Sequence, residues 1–246
     1  MASSALSPAP AGRRAIVTGA CGGIGRAICE ALSAGGASVA ACDLAGSGAA
    51  LEFDVRDRKA VVSGVRAAID ALGGECDAVV ANAGVVDTIH RAERFSEEDW
   101  SLDLGTNLTG AFNLIQAAFE ALAASGDGRV VVISSAAAEL GLPGQVAYGA
   151  SKAGLVGMAR TLAAEWGPRG VRCNVVMPGM VATPKVVAMP EALRQRLEPA
   201  IPLRRFGAPE ELAGVVAFLL SPAAAYLNGA VLRVDGGFGL SAGAMT

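Results

Sequence analysis

Short apolar runs alternate with longer amphipathic stretches along this chain, and that alternation constrains the fold more than any single residue. The runs are Ala15-Ile16-Val17, Ser38 to Cys42, Ala78-Val79-Val80, Val130 to Ile133, Val171 to Met177 and Ala230 to Val234. Most are apolar at consecutive positions, as a strand covered on both faces must be. Between them, residues 23–34, 57–72, 96–124, 147–166 and 209–220 carry helical spacing. A βαβα order of this kind predicts an α/β fold: one doubly wound parallel sheet with helices on both sides. One connection breaks the pattern. A short strand over Leu51 to Phe53 follows Asp43 after only residues 44–50, and Gly46 and Gly48 oppose a helix there. A loop is expected in place of the crossover helix, which brings the count to about seven strands.

The chain has 246 residues, enough for one domain with a large core. Residues 13–246 are expected to form it, with 1–12, rich in Ser, Ala and Pro, as a disordered tail that lacks the features of a signal peptide. Residues 183–201 carry three prolines between a strand and a helix and are expected to form a lid. Hydrophobic residues make up 52%, yet no run is long enough to span a membrane. A net charge of −3 without a basic run argues against nucleic acid. The five cysteines show no CxxC spacing, so neither a metal site nor a disulfide framework is expected, and reduced thiols in a cytoplasmic protein are. His90 is the single histidine and is expected on a surface loop.

The segment Thr18-Gly19-Ala20-Cys21-Gly22-Gly23-Ile24-Gly25 lies between the first strand and the first helix. Glycines at such a turn let the backbone approach a pyrophosphate, which then rests on the helix N-terminus. Asp43 ends the second strand, 18 residues beyond Gly25. A carboxylate there accepts from adenosine ribose hydroxyls and repels a 2′-phosphate, which points to NAD. Asp54 follows the third strand, where it either reaches the adenine or caps the next helix.

Taken together with Asn82-Ala83-Gly84, Ser135, Tyr148-xxx-Lys152 and Pro178-Gly179, this pattern resembles the short-chain dehydrogenase/reductase family, from about Arg14 to Gly237. The resemblance implies a Rossmann fold. Gly144-Gln145-x-x-Tyr148-x-Ala150-Ser151-Lys152, Arg205-x-Gly207-x-Pro209-Glu210-Glu211 and Val234-Asp235-Gly236-Gly237 are similar to the 3-oxoacyl-[acyl-carrier-protein] reductase branch. NADPH-using members of that branch usually carry Arg at the position of Gly22 and lack an acid at that of Asp43. The missing crossover helix also occurs in some NAD-dependent members that oxidise cyclic dihydrodiols. The nucleotide site expected on these grounds takes in Gly19, Cys21, Gly22, Gly23, Ile24, Gly25, Asp43, Leu44, Asp54 and Val55 from the first half of the chain. Asn82, Ala83, Gly84, Tyr148, Lys152, Pro178, Gly179, Val181 and Thr183 complete it, with the Thr183 hydroxyl at the carboxamide.

The chemistry expected is hydride exchange between NAD(H) and a secondary alcohol or ketone. A phenol with its usual pKa of about 10 is a poor base at neutral pH, and a nearby cation lowers that value. Tyr148 and Lys152 stand four residues apart on a helical stretch and so share a face. Such a pair alone is usually an ordinary helix surface; the other motifs make it a catalytic pair. The resemblance adds Ser135, thirteen residues before the tyrosine, as a hydrogen-bonding partner of the substrate oxygen, and Asn107 as the holder of a water that links Lys152 to solvent. The pocket wall expected is Val85, Val86, Ala137, Leu142, Gln145, Met180, Val187 and Met189. Two other functions are weighed: a 3-oxoacyl-thioester reductase, using Arg129 and Arg169 toward a carrier protein, and a non-catalytic nucleotide-binding scaffold. A homotetramer is expected: the resemblance places the helical stretches near 107–124 and 150–166 at one subunit interface and the last strand at another, and some of their apolar residues, such as Phe112, Ile115, Phe119, Leu162 and Trp166, exceed what a core needs.

Overall fold

A computed structural model describes residues 10–86 and 89–240. Seven strands form one parallel sheet in the order β3-β2-β1-β4-β5-β6-β7. They are β1 (Arg14–Thr18), β2 (Ser38–Asp43), β3 (Leu51–Glu52), β4 (Ala78–Ala81), β5 (Gly128–Ile133), β6 (Val171–Pro178) and β7 (Val231–Val234). The chain moves outward from β1 in one direction, then returns to build the other half from β4. The crevice of such a sheet opens at the carboxyl ends of the strands where the order reverses. The glycine loop after β1 and the Asn82-Ala83-Gly84 turn after β4 both lie there.

Alternating side chains feed two cores, which is why the strands are apolar throughout. Ile16, Cys42, Val79, Val130, Val132 and Cys173 face α2 (Arg58–Ala71), α4 (Gly110–Ala124) and α5 (Val146–Trp166). Ala15, Val17, Val80, Val131, Ile133 and Val176 face α1 (Gly23–Ala34) and α8 (Pro209–Leu220). Residues 44–50 form the expected loop, with Gly46 and Gly48 at φ 79° and 82°. β3 is a residue shorter than expected. Phe53 turns onto α2, its ring filling the space beside Gly64, where a Cβ would lie 2.2 Å from Cδ1. His90 is exposed on a loop, as expected.

The helix expected over 96–124 is not continuous. α3 (Glu97–Leu104) is capped by Ser96, which accepts from Asp99 N–H, and α4 begins only at Gly110. Between them residues 105–109 form a π-helical turn, closed by Gly110 N–H donating to Gly105 O. The extra residue in that turn rotates Asn107 inward, to 1% exposure. Residues 183–201 hold two short helices, α6 (Pro184–Val187) and α7 (Glu191–Leu197).

At the opposite end of the sheet, Asp127 receives Arg13, Arg129 and Arg172. Those arginines also donate to Leu220 O, Ser221 O and Ala224 O, so one carboxylate ties β1, β5 and β6 to the end of α8. Partial burial alone raises the Asp127 carboxyl, but hydrogen bonds from Arg129, Arg13 and Arg172 outweigh it and hold the group well below the usual carboxylate range. A depressed folded pKa means stability that is present above the unfolded value of about 3.9 and lost as pH falls toward the folded value. Wild type is therefore expected to melt above Asp127→Asn near neutral pH. The gap should narrow below about pH 4 in thermal unfolding series. A gap independent of pH counts against the ionic clamp.

Candidate active site

Gly19 has φ +64°, and a Cβ there would lie 2.9 Å from Ala83 Cα and from Asn82 Nδ2. Asn82 Nδ2 donates to Thr18 O and Gly19 O, and Thr18 Oγ1 accepts from Ala83 N–H, so the loops after β1 and β4 are fastened together. At Gly25 a Cβ would collide with Gly19 O at 1.9 Å, so only glycine lets α1 start so close to the turn. Gly22, the N-cap of α1, provides no side-chain cap, and the first N–H groups of a twelve-residue helix are left facing the crevice. The Asp43 carboxylate is pinned beside this loop: Oδ2 accepts from Cys21 N–H and Oδ1 from Leu44 N–H, both at 2.8 Å. An uncapped helix terminus, a glycine turn and an adjacent carboxylate fit the pyrophosphate and ribose of a nicotinamide dinucleotide.

The second cluster stands on β5, the π turn and α5. Ser135 follows β5 in an extended conformation and accepts from Ala137 N–H at 3.2 Å. Its hydroxyl favours the ionised form of the Tyr148 phenol. Adjacent Ser134 is buried and donates to Lys152 O on α5, so the two serines serve different partners. Lys152 Nζ donates to Ile133 O at 2.9 Å and lies 5.7 Å from the centroid of the Tyr148 ring. Asn107 Oδ1 accepts from Val85 N–H at 2.7 Å, while its Nδ2 donates to Val85 O and Ser151 Oγ. Gly84 passes so close that a Cβ would meet Asn107 Oδ1 at 3.0 Å and Lys152 Nζ at 3.3 Å. The π turn thus lets Asn107 lock the turn after β4 onto the catalytic-type helix.

The electrostatics differ from expectation in one respect. Burial pushes the Tyr148 phenol up, the Ser135 hydroxyl pulls it down, and Asp103 pushes it up further, for a net rise. Burial lowers the Lys152 ammonium to about 8, against a stabilising influence from Asp103, and its short contact is with Ile133 O.

The structure gives several of the expected residues further engagements. Asp54 does not cap α2; Asp57 does, accepting from Lys59 and Ala60 N–H. Asp54 is instead gripped by Arg56, whose hydrogen bonds hold its carboxyl down. Thr183 Oγ1 accepts from Val186 N–H as the cap of α6. Thr183 and Pro184 nevertheless press against the glycine loop, since a Cβ on Gly23 would meet Pro184 Cδ at 2.8 Å. Met180 and Val181 line a cavity of about 490 Å³ with Leu203, Arg205, Arg233 and Asp235, apart from Ser135 and Tyr148. Val187 is exposed rather than enclosed. Arg129 is 3% exposed in the Asp127 cluster, out of reach of a carrier protein. Ile115 and Leu162 belong to the core rather than to a surface, whereas Phe112, Phe119 and Trp166 are half-buried. Sequence reasoning passed over Asp103 and Ser151, both buried beside this cluster. The available signal for Asp103 was its position one helical turn before Asn107.

A glycine turn at an open helix end, together with a buried lysine one turn from a tyrosine, suits an oxidoreductase that acts on CH–OH groups with a nicotinamide cofactor. Known proteins agree. A family profile described as Enoyl-(Acyl carrier protein) reductase matches residues 19–239. A (3R)-3-hydroxyacyl-CoA dehydrogenase of Rattus norvegicus is 42% identical, over 91% of this chain and 95% of its own. A D-threitol dehydrogenase of Mycolicibacterium smegmatis is 40% identical, over 92% and 93%. The 3-oxoacyl-[acyl-carrier-protein] reductase MabA of Mycobacterium tuberculosis is 38% identical, over 97% and 98%. The solved structure of a candidate short-chain alcohol dehydrogenase from Sinorhizobium meliloti 1021 superposes with a TM-score of 0.87 at 38% identity, covering 94% of this chain and 98% of that one. The chain belongs to the short-chain dehydrogenase/reductase family, within the branch similar to 3-oxoacyl-[acyl-carrier-protein] reductases.

Proposed function

We propose that this protein is an NAD(H)-dependent dehydrogenase that interconverts a secondary alcohol and a ketone, with Tyr148 as its acid/base. The observation that carries this reading is the placement of Tyr148 and a lysine of 4% exposure one turn apart on α5, with the lysine Nζ 5.7 Å from the centroid of the phenol ring. In the oxidising direction the Tyr148 oxygen takes the hydroxyl proton while Ser135 Oγ donates to the substrate oxygen and steadies it as charge develops. Bound NAD supplies the hydride acceptor. Lys152 holds positive charge beneath the phenol, and Asn107 keeps the turn after β4 and the start of α5 in register. The Asn107 amide is committed to Val85 and Ser151, so bracing is its first role. Residues 183–201 act as a lid hinged at Thr183.

A 3-oxoacyl-thioester reductase remains the second reading, favoured by the names of the rat and mycobacterial relatives. Absorbance of NADH with a panel of secondary and cyclic alcohols, and with a 3-oxoacyl-CoA in the reducing direction, separates the two. Turnover of alcohols alone supports the first reading and turnover of the thioester alone the second. NAD binding without turnover of either overturns both in favour of a scaffold.

The half-buried faces of Phe119 and Trp166, tilted against each other with centroids 4.4 Å apart and with Arg169 over Phe119, support a homotetramer built across α4 and α5. Light scattering is expected to give the tetramer mass, and a stable monomer mass removes the idea. Five free thiols and the absence, among the described residues, of any helix long and apolar enough to cross a membrane accord with a cytoplasmic enzyme.

A further inference from the structure

Four charged side chains are almost fully buried among the described residues: Asp77, Asp103, Arg129 and Lys152. Two are answered by contact partners, Asp77 by Arg13 and Arg14 and Arg129 by Asp127. The other two are Asp103, at 1% exposure, and Lys152, at 4%. Neither has an ion-pair contact among the described residues. Lys152 Nζ donates to a backbone carbonyl, and Asp103 Oδ2 has no hydrogen-bond partner at all. They lie on α3 and α5, which pack against each other. A lone buried charge is costly, and two of opposite sign in one poorly screened seam offset each other's cost even without touching. Tyr148 shares α5 with Lys152, one turn earlier.

We propose that Asp103 is a positioning residue that acts through the field across the α3–α5 seam and sets the pH range over which Tyr148 and Lys152 exchange protons. Asp103 favours the protonated form of both: it pushes the phenol up and supports the ammonium. Its own carboxyl is raised by burial and by Asp99 and lowered by Lys152. Other charged groups near the seam are Glu97 and Glu98 at the exposed start of α3, Arg56 beside Gly105 but engaged by Asp54, and Arg160 and Glu165 on the far half of α5. None of these is buried, so Asp103 is the charge least screened from the pair.

The sign of the effect is fixed. Removing the carboxylate in Asp103→Asn withdraws an upward push on both groups, so both titrate at lower pH. A bell-shaped activity profile then moves toward acid. A purely structural residue changes melting temperature or rate across the whole range and leaves the limbs in place.

The chain has two tyrosines, and Tyr226 is fully exposed. Tyrosinate absorbance therefore follows Tyr148 directly, with Tyr148→Phe as the blank, in the protein without coenzyme or substrate. The Tyr148 transition is expected to fall by about half a pH unit or more in Asp103→Asn, and to stay near wild type in the charge-retaining Asp103→Glu. Where Asp103→Asn does not fold, Asp103→Leu carries the same expectation, since leucine suits an apolar seam. Coincident titration of wild type and the neutral variants, or a shift to higher pH, overturns the proposal. Its kinetic arm rests on Tyr148 being the acid/base: both limbs of kcat/KM are then expected to move toward acid. A shifted absorbance transition with unmoved kinetic limbs keeps the Asp103 coupling and overturns the role given to Tyr148.

Discussion

Tyr148→Phe is expected to lower kcat about 10²- to 10⁴-fold, the usual contribution of a positioned acid/base, while the dissociation constant for NAD stays near wild type. The phenyl ring is kept, so the packing of α5 on the short helical turn after Ser135 survives. What disappears is the one oxygen proposed to carry the proton to and from the substrate. The proposed dinucleotide contacts at the glycine loop and Asp43 lie on β1, α1 and β2, away from this oxygen. Ser135 keeps Ala137 N–H, so the loop after β5 is still held. Calorimetry for NAD and steady-state rates on the best alcohol found test the two halves separately. Activity above about a tenth of wild type removes Tyr148 from the proton step. A retained kcat with a raised KM and dissociation constant for NAD would place the residue in the nucleotide site instead.

The sheet was legible because its central strands β1, β4, β5 and β6 are buried on both faces. Ile16 and Val17, neighbours in sequence, enter different cores, and that requires a run rather than an alternation. Residues 44–50 were legible for a related reason: the two glycines there have positive φ, and the loop closes through Ser47 N–H to Leu44 O without helical turns. The π turn was not legible. Helical spacing runs through 96–124 unbroken, and one extra residue per turn leaves no compositional mark beyond the flanking Gly105 and Gly110. Depth was equally hidden from sequence. Arg129 reads as an exposed cation, yet it is buried between Asp127 and the end of α8. Asp103 follows Glu97, Glu98 and Asp99 and reads as part of a solvated acidic face. Only the packing of α3 on α5 turns it inward. Tyr148 and Lys152 do stand one turn apart on α5, as their spacing implies, but the electrostatics of the pair depend on burial, which spacing does not encode.

Coenzyme choice is where a single side chain is expected to matter most after Tyr148. NAD and NADP differ by a 2′-phosphate on the adenosine ribose, and a carboxylate held where that phosphate must go disfavours it by like-charge repulsion. The short connection after β2 raises the question of whether Asp43 faces that site. Its two oxygens accept from Cys21 N–H on the glycine loop and from Leu44 N–H, which pins the carboxylate against the nucleotide loop rather than toward residues 45–50. Gly22 brings no positive charge to offset a phosphate. A repulsion of about 2–3 kcal/mol corresponds to roughly 30- to 150-fold preference for NAD in kcat/KM. Asp43→Ala removes the repulsion and also frees Cys21 N–H, so both coenzymes are expected to bind more weakly and the ratio is the informative quantity. Gly22→Arg is accommodated by the fold: Gly22 has φ −69° and ψ 163°, open to any residue, and the nearest atom to an added Cβ is Gly19 O at 3.4 Å. The double variant is expected to erode or reverse the preference, with the guanidinium answering the phosphate. The measurement is kcat/KM for both coenzymes at one substrate concentration and one ionic strength, since a charge effect at an exposed site weakens with salt. Equal values in the wild-type enzyme, or a preference for NADP, show that the Asp43 carboxylate does not meet the ribose. An unchanged ratio in the double variant shows that the discrimination resides elsewhere in the loop.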